Sequence, residues 1–172
     1  MKQCVVVAMC LVAGLSSVHA QPASSDGSQL GFFIGKWSEE GQSRATQTGA
    51  FGKISGEETC AWFSGGPSVV CRETTQDQSG ETDSIYILSY DQTRKNYSMS
   101  GTDNTGAVYT GTGTLEQGVW KWTAEMRSKG VSTPMRYTFR GASNGSRTMD
   151  VEIAAGKGAW AKIVAVTYKR TR

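Results

Sequence analysis

Few side chains in this sequence are equipped to make or break a bond. Gly141-Ala142-Ser143-Asn144-Gly145 matches the G-x-S-x-G nucleophile elbow letter for letter, but that motif works only at a strand-to-helix turn with a histidine base. The one histidine, His19, lies in a segment expected to be removed, and no helical pattern follows Gly145. Zinc coordination by imidazole, haem ligation by histidine and Cys-His catalysis fall for the same reason. No catalytic residue is assigned, and no metal or cofactor is expected.

Cysteine and glutamate pairs are more informative. Ser64-Gly65-Gly66-Pro67 separates two alternating segments, and Pro67 lacks the N–H that a two-residue hairpin loop would use beside it. A four-residue loop with Phe63 and Ser68 as the last pair is therefore expected. Counting outward sets Cys60 opposite Cys71 in a non-hydrogen-bonded pair, where side chains approach most closely, and the spacing suits a disulfide. Closing so short a loop contributes roughly 3 kcal/mol in the chain-entropy model. A redox-active thiol would favour C-x-x-C spacing or a nearby base, and the chain has neither here.

The same count sets Glu58 opposite Glu73, on the face that carries Cys60, Trp62, Val69 and Cys71. Facing carboxylates repel, so this end of the face is expected to reach solvent or to take a partner such as Lys53 or Arg72. Buried instead, the pair would share a proton and resemble a general acid/base dyad.

Lys2, the apolar run from Val5 to Leu15, and Val18 and Ala20 before Gln21 form the three regions of a secretory signal, too short in its apolar part to span a bilayer. Residues 1–20 are read as the signal peptide, 21–27 as a flexible leader and 28–172 as one domain. Cys4 and Cys10 leave with the signal, and Cys60 and Cys71 remain as an even pair suited to an oxidising compartment. Loss of Lys2 lowers the formal charge from +3 to +2. With both signs mixed along the chain, neither nucleic acid nor a membrane anchor is indicated. The expected location is periplasmic or extracellular. The sequons at Asn96 and Asn144 would matter only in a eukaryotic secretory pathway.

The elements that must position these groups are read by counting in twos. Tyr97, Met99 and Gly101 share one parity, as do Ala107, Tyr109, Gly111, Gly113 and Leu115, while serines and threonines take the other. Trp120, Trp122, Ala124 and Met126 repeat the scheme, as do Met135, Tyr137 and Phe139, and then Met149, Val151 and Ile153. The stretch from Thr82 to Tyr90 is apolar on both parities, which marks a strand covered on both sides or packed under a plug. Ser28 to Ile34 is too densely apolar to alternate and reads as a short helical turn with Ser28 as a cap. Glycine is frequent and proline scarce, with 21 and 3 residues, and Asn144-Gly145 is the strongest hairpin signal. About ten strands on short turns predict an all-β fold, a single up-and-down antiparallel barrel with a short N-terminal helical plug.

Gly35-Lys36-Trp37 after the helical plug resembles the G-x-W opening of lipocalins and their fatty-acid-binding-protein relatives. That resemblance implies a tryptophan closing the barrel floor against an arginine near the end of the chain, here Arg170 or Arg172. Tyr90-Asp91, Tyr97, a glycine-studded strand and a tryptophan strand together look like a bacterial family of exported lipocalin-like barrels of unknown function. These motifs are structural and imply shape rather than chemistry.

Tyr97, Met99, Tyr109, Trp120, Trp122, Met126, Met135, Tyr137 and Phe139 are expected to face inward, an aromatic and thioether lining suited to a small hydrophobic or amphipathic molecule. Tyr97, Tyr109 and Tyr137 would orient its polar group. Gly101, Gly111 and Gly113 on the inward parity either open space or relieve curvature. Two other readings stay open: a hydrolase- or isomerase-like enzyme using Glu73 or Asp103 at the barrel mouth on a carbonyl or lactone substrate, and a filled-barrel envelope interaction module. An inward, solvent-poor carboxylate within reach of a tyrosine would favour the enzyme.

Overall fold

The computed structural model describes residues 27–63, 67–142 and 145–171. The signal segment, residues 21–26 of the leader, Ser64 to Gly66, Ser143, the sequon asparagine Asn144 and Arg172 lie outside them. A 3-10 helix, Gly27–Phe32, precedes ten strands. These are β1 Gly35–Ser43, β2 Gly52–Trp62, β3 Ser68–Asp77, β4 Gly80–Asp91 and β5 Asn96–Asp103, then β6 Val108–Glu116, β7 Val119–Ser128, β8 Val131–Gly141, β9 Arg147–Ala154 and β10 Trp160–Arg170. Each strand pairs antiparallel with its sequence neighbours, and β1 pairs with β10 to close the barrel. The expected architecture is the observed one.

The plug starts one residue earlier than expected, so Gly27 is its buried first residue and Ser28 lies inside it. Gln117-Gly118 and Lys129-Gly130, with φ of 51° and 78° and of 50° and 77°, are the two-residue turns that join β6 to β7 and β7 to β8, the mirror-type turns whose twist matches the strands. At Asn144-Gly145 the connection is longer: Gly141 pairs with Arg147, and the Ala142 amide donates to the Ser146 carbonyl at 2.8 Å. Strand β8 is thus followed by another strand, β9, and not by the helix that a nucleophile elbow requires.

The β2 to β3 hairpin has the anticipated register. The Phe63 amide donates to the Ser68 carbonyl at 2.8 Å, Glu58 faces Glu73, and Cys60 and Cys71 form a disulfide with Cα atoms 4.1 Å apart. The disulfide points inward and is buried. Strand β4 contacts the plug, the second of the two arrangements expected for it; Leu88 is buried on the inner face, whereas Ile87 on the outer face is 41% exposed.

The plug seals the end where β1 begins and β10 ends. There Phe33, Tyr97, Trp120 and Phe139 pack ring against ring, with Phe33 5.3 Å from both Trp120 and Phe139 and Tyr97 4.6 Å from Trp120. Among the described residues, no helix is long and apolar enough to cross a membrane.

Candidate functional site

Above this packed floor the barrel encloses a cavity of about 310 Å³, near the lower end of small-molecule sites at roughly 300–1,000 Å³. Six of the nine expected lining residues border it: Met99, Tyr109, Trp122, Met135, Tyr137 and Phe139. Tyr97 and Trp120 share their parity but belong to the floor, where both are buried. Met126 is half-buried near the opposite end, outside the lining. The inward glycines relieve crowding: a Cβ at Gly113 would come within 2.6 Å of the Trp122 ring, which lies across it.

Arg147, the first residue of β9, is the hub of the floor. Its side chain is 1% exposed, donates to Glu58 Oε2, and donates through Nη1 to the Phe33 carbonyl at 3.2 Å. Its guanidinium carbon sits 4.3 Å from the Trp37 ring and 4.5 Å from that of Tyr168. Burial lowers the Arg147 pKa to about 10, so it stays charged at neutral pH. Trp37 Nε1 donates to the same Phe33 carbonyl at 3.0 Å, which ties the plug to the wall. Arg170 also lies 4.7 Å from the Trp37 ring and donates to the Ile34 carbonyl at 2.8 Å, the tryptophan–arginine contact anticipated at the floor.

Glu58 is buried, and its partner is neither Lys53 nor Arg72. Those residues neighbour it along the two strands, but their parity turns them outward; Arg147 reaches it from across the barrel. Tyr86 donates its hydroxyl to Glu58 Oε1, completing the acceptor's shell. Cys60 and Cys71 lie beside Glu58 within metal-ligating distance, but as a disulfide they offer no thiolate.

Higher in the barrel, Glu39 of β1 and Glu73 of β3 line the cavity with Tyr86 and Tyr168. Glu39 is 2% exposed, and among the described residues neither carboxylate oxygen has a hydrogen-bond partner. Its Oε1 lies over Gly56 of β2, where a Cβ would approach to 2.8 Å. Burial raises the Glu39 pKa, while the Tyr168 and Glu73 side chains and the charge of Arg147 pull the other way. Glu73 accepts a hydrogen bond from the Tyr168 hydroxyl at 3.0 Å. Burial, and then the charge of Glu39, push its carboxyl up to about 8. Two carboxyls buried on the wall of one chamber do not both ionise readily. Burial also holds the Tyr86 and Tyr168 phenols well above their ordinary range, so they are donors and not bases.

Of the tyrosines expected to orient a ligand, Tyr109 donates to Asp103 at 2.6 Å and Tyr137 to the Met135 sulfur at 3.4 Å. Asp103 also accepts from Thr105 and from the Ala107 amide. Burial raises its pKa, but these donors outweigh burial and hold it below the ordinary value, so it is a loop anchor in its ionised form. At the mouth, Asp77 borders the cavity and accepts from the Ser43 hydroxyl at 3.1 Å.

Glu39, Arg147, Tyr86 and Tyr168 thus form the polar interior without having been singled out from the sequence. Parity could have found them. Glu39 shares that of Trp37, Arg147 that of Met149 and Val151, and Tyr168 that of Val166.

Among solved structures, the fold is similar to the crystal structure of Rv2717c from M. tuberculosis, with a TM-score of 0.60 and 13% sequence identity over 87% of this chain and 99% of that one. At that identity the likeness concerns the fold alone. No curated protein matches the sequence. The model of a family described only as proteins of unknown function, DUF1579, matches residues 24–170, and the chain belongs to that family.

Proposed function

We propose that this protein is an exported soluble carrier, a lipocalin-like barrel that holds one small amphipathic molecule in its interior. The observation that carries this reading is the Glu39 carboxylate, buried at the cavity wall with no partner for either oxygen among the described residues. A buried carboxyl without hydrogen bonds is costly, and a ligand that supplies them would offset that cost. Trp122 Nε1, also buried without a partner, is a second unused group on the same wall. The apolar part of the ligand would lie against Met99, Trp122, Met135 and Phe139, a deformable surface that suits a small range of shapes. Export is supported by the disulfide and by the charged, apolar and small-residue order of the first twenty residues. Native mass spectrometry of protein purified from its own host tests the reading: a stoichiometric small-molecule adduct is expected, absent from a Met135→Trp variant that fills the chamber. A bare mass in both would overturn it.

One observation favours a second reading. Glu73 has a carboxyl raised to about 8 and a tyrosine hydroxyl at 3.0 Å, the combination a general acid or base near neutral pH requires. An isomerase-like proton transfer on a carbonyl or lactone compound would use Glu73 to move the proton and Tyr168 to donate to the oxygen. Turnover lost in Glu73→Gln while binding persists would identify this activity.

A further inference from the structure

We infer that the ligand's polar head is an organic cation, an ammonium group on an apolar body, seated between Glu39 and Glu73. This rests on the carrier reading above and names the chemistry of its ligand.

The interior carries an excess of acceptors. Among the described residues three carboxyls, Glu39 on β1, Glu58 on β2 and Glu73 on β3, point inward against one guanidinium, Arg147 on β9. Arg147 is committed to Glu58 and the Phe33 carbonyl. Among the described residues three tyrosine hydroxyls are committed as well, that of Tyr86 from β4 to Glu58, of Tyr137 from β8 to the Met135 sulfur and of Tyr168 from β10 to Glu73, and the donor left over on the cavity wall, Trp122 Nε1, is neutral. Asp77 near the mouth adds a fourth acid and is served by Ser43. Neither Glu39 oxygen meets a hydrogen-bond partner among the described residues, its polar neighbours being the Tyr168 hydroxyl and the Glu73 carboxyl, and the wall beside it is the bare backbone of Gly56, which faces Glu39 on one side and Thr75 on the other. A head group placed there meets negative charge and no free positive charge. A fatty-acid carboxylate would be repelled, and a neutral hydroxyl would bring no charge to balance the two acids.

The walls select an organic cation over a metal ion. A hard divalent cation takes about six to eight oxygen ligands, whereas among the described residues Glu39 and Glu73 belong to no cluster of three ligand side chains and share their chamber with Met99, Met135, Met149 and the Trp122 and Phe139 rings as well as hydroxyls. A weakly hydrated ammonium suits such surroundings, since aromatic faces attract it as well. The cation would take the place of the proton that Glu73 holds, so binding releases a proton and strengthens as pH rises.

The test is calorimetric titration of the full mature protein with three probes sharing one apolar chain: octylamine, octanol and octanoate. At about pH 9 octylamine is expected to bind at least roughly tenfold more tightly than the other two. At about pH 6 that advantage is expected to shrink, with release of about one proton near pH 7 shown by buffers of different ionisation enthalpy. In Glu39→Gln the amine should fall to the level of octanol. Octanol or octanoate binding as tightly as the amine in the unaltered protein overturns the cation inference and leaves the carrier reading standing. Failure of all three to bind counts against the carrier reading itself. The comparison among probes needs no variant, so a misfolded mutant cannot obscure it.

Discussion

Arg147 and Glu58 lie 89 residues apart in the chain and meet as an ion pair inside the barrel, with side chains 1% and 0% exposed. The pair joins β2 to β9 across the floor and, through the Phe33 carbonyl, holds the plug in place. Removing one partner leaves a buried charge alone, which costs about 3–5 kcal/mol, whereas neutralising both is far milder. Arg147→Met should therefore lower unfolding stability by about that amount in a urea titration, and Arg147→Met with Glu58→Gln should recover most of it. Equal losses in the single and double variants would show that the pair acts only by filling space.

A second expectation concerns pH. Glu73 holds its proton up to about 8 in the fold, while in the unfolded chain it loses it near the ordinary glutamate value of about 4.3. A group protonated in the fold and ionised in the unfolded chain adds stability that is complete at low pH and declines as pH rises through that window. The slope is at most ~1.4 kcal/mol per pH unit for one proton. Glu39, also raised, titrates with Glu73 as a pair. Thermal midpoints should fall between about pH 5 and pH 8 in the unaltered protein and flatten in Glu73→Gln. A midpoint that rises across this range in the unaltered protein would mean that the carboxyl is ionised in the fold.

What could be read in advance follows from how far apart in sequence the cooperating groups lie. Alternation of Tyr109 with Thr110, or of Trp122 with Thr123, is local, so strand number, order and inward face follow from neighbouring letters. The Cys60 to Cys71 register follows from one loop. The partner of Glu58 could not be found in this way, because Arg147 sits after an Asn-Gly-Ser run that reads as a turn and its ion pair depends on closure of the barrel. Glu39 was hidden differently: Ser-Glu-Glu-Gly-Gln-Ser reads as a wet strand, and only the inward parity of Trp37 places its carboxylate in the chamber. Cavity volume was illegible for a third reason. Gly113 opens no space of its own, because Trp122 occupies it.

The disulfide supplies a third test. Cys60 and Cys71 bridge adjacent strands with a sequence separation of 11, and closing a loop of that size contributes roughly 3 kcal/mol by restricting the unfolded chain. The denaturation midpoint should drop in reductant, and Cys60→Ser with Cys71→Ser should drop by the same amount and stop responding to reductant. An unchanged midpoint on reduction would mean that the loop restricts nothing the unfolded chain would otherwise explore.

Gly113 and Trp122 offer the last test, because they face each other across β6 and β7. A methyl at Gly113 would meet three atoms of the indole within 2.8 Å, and Trp122 cannot retreat easily: it is buried, with Trp120 stacked 5.7 Å away and Phe33 at 6.3 Å. Gly113→Ala should destabilise by about 1–3 kcal/mol, the usual range for overpacking. Trp122→Phe in the same chain removes the larger ring system and should return part of that loss, a coupling visible in a double-mutant cycle. Since Trp122 borders the cavity, its fluorescence should shift in Gly113→Ala even where the fold is retained. An additive cycle with an unshifted emission would place the indole away from Gly113 and remove it from the cavity wall.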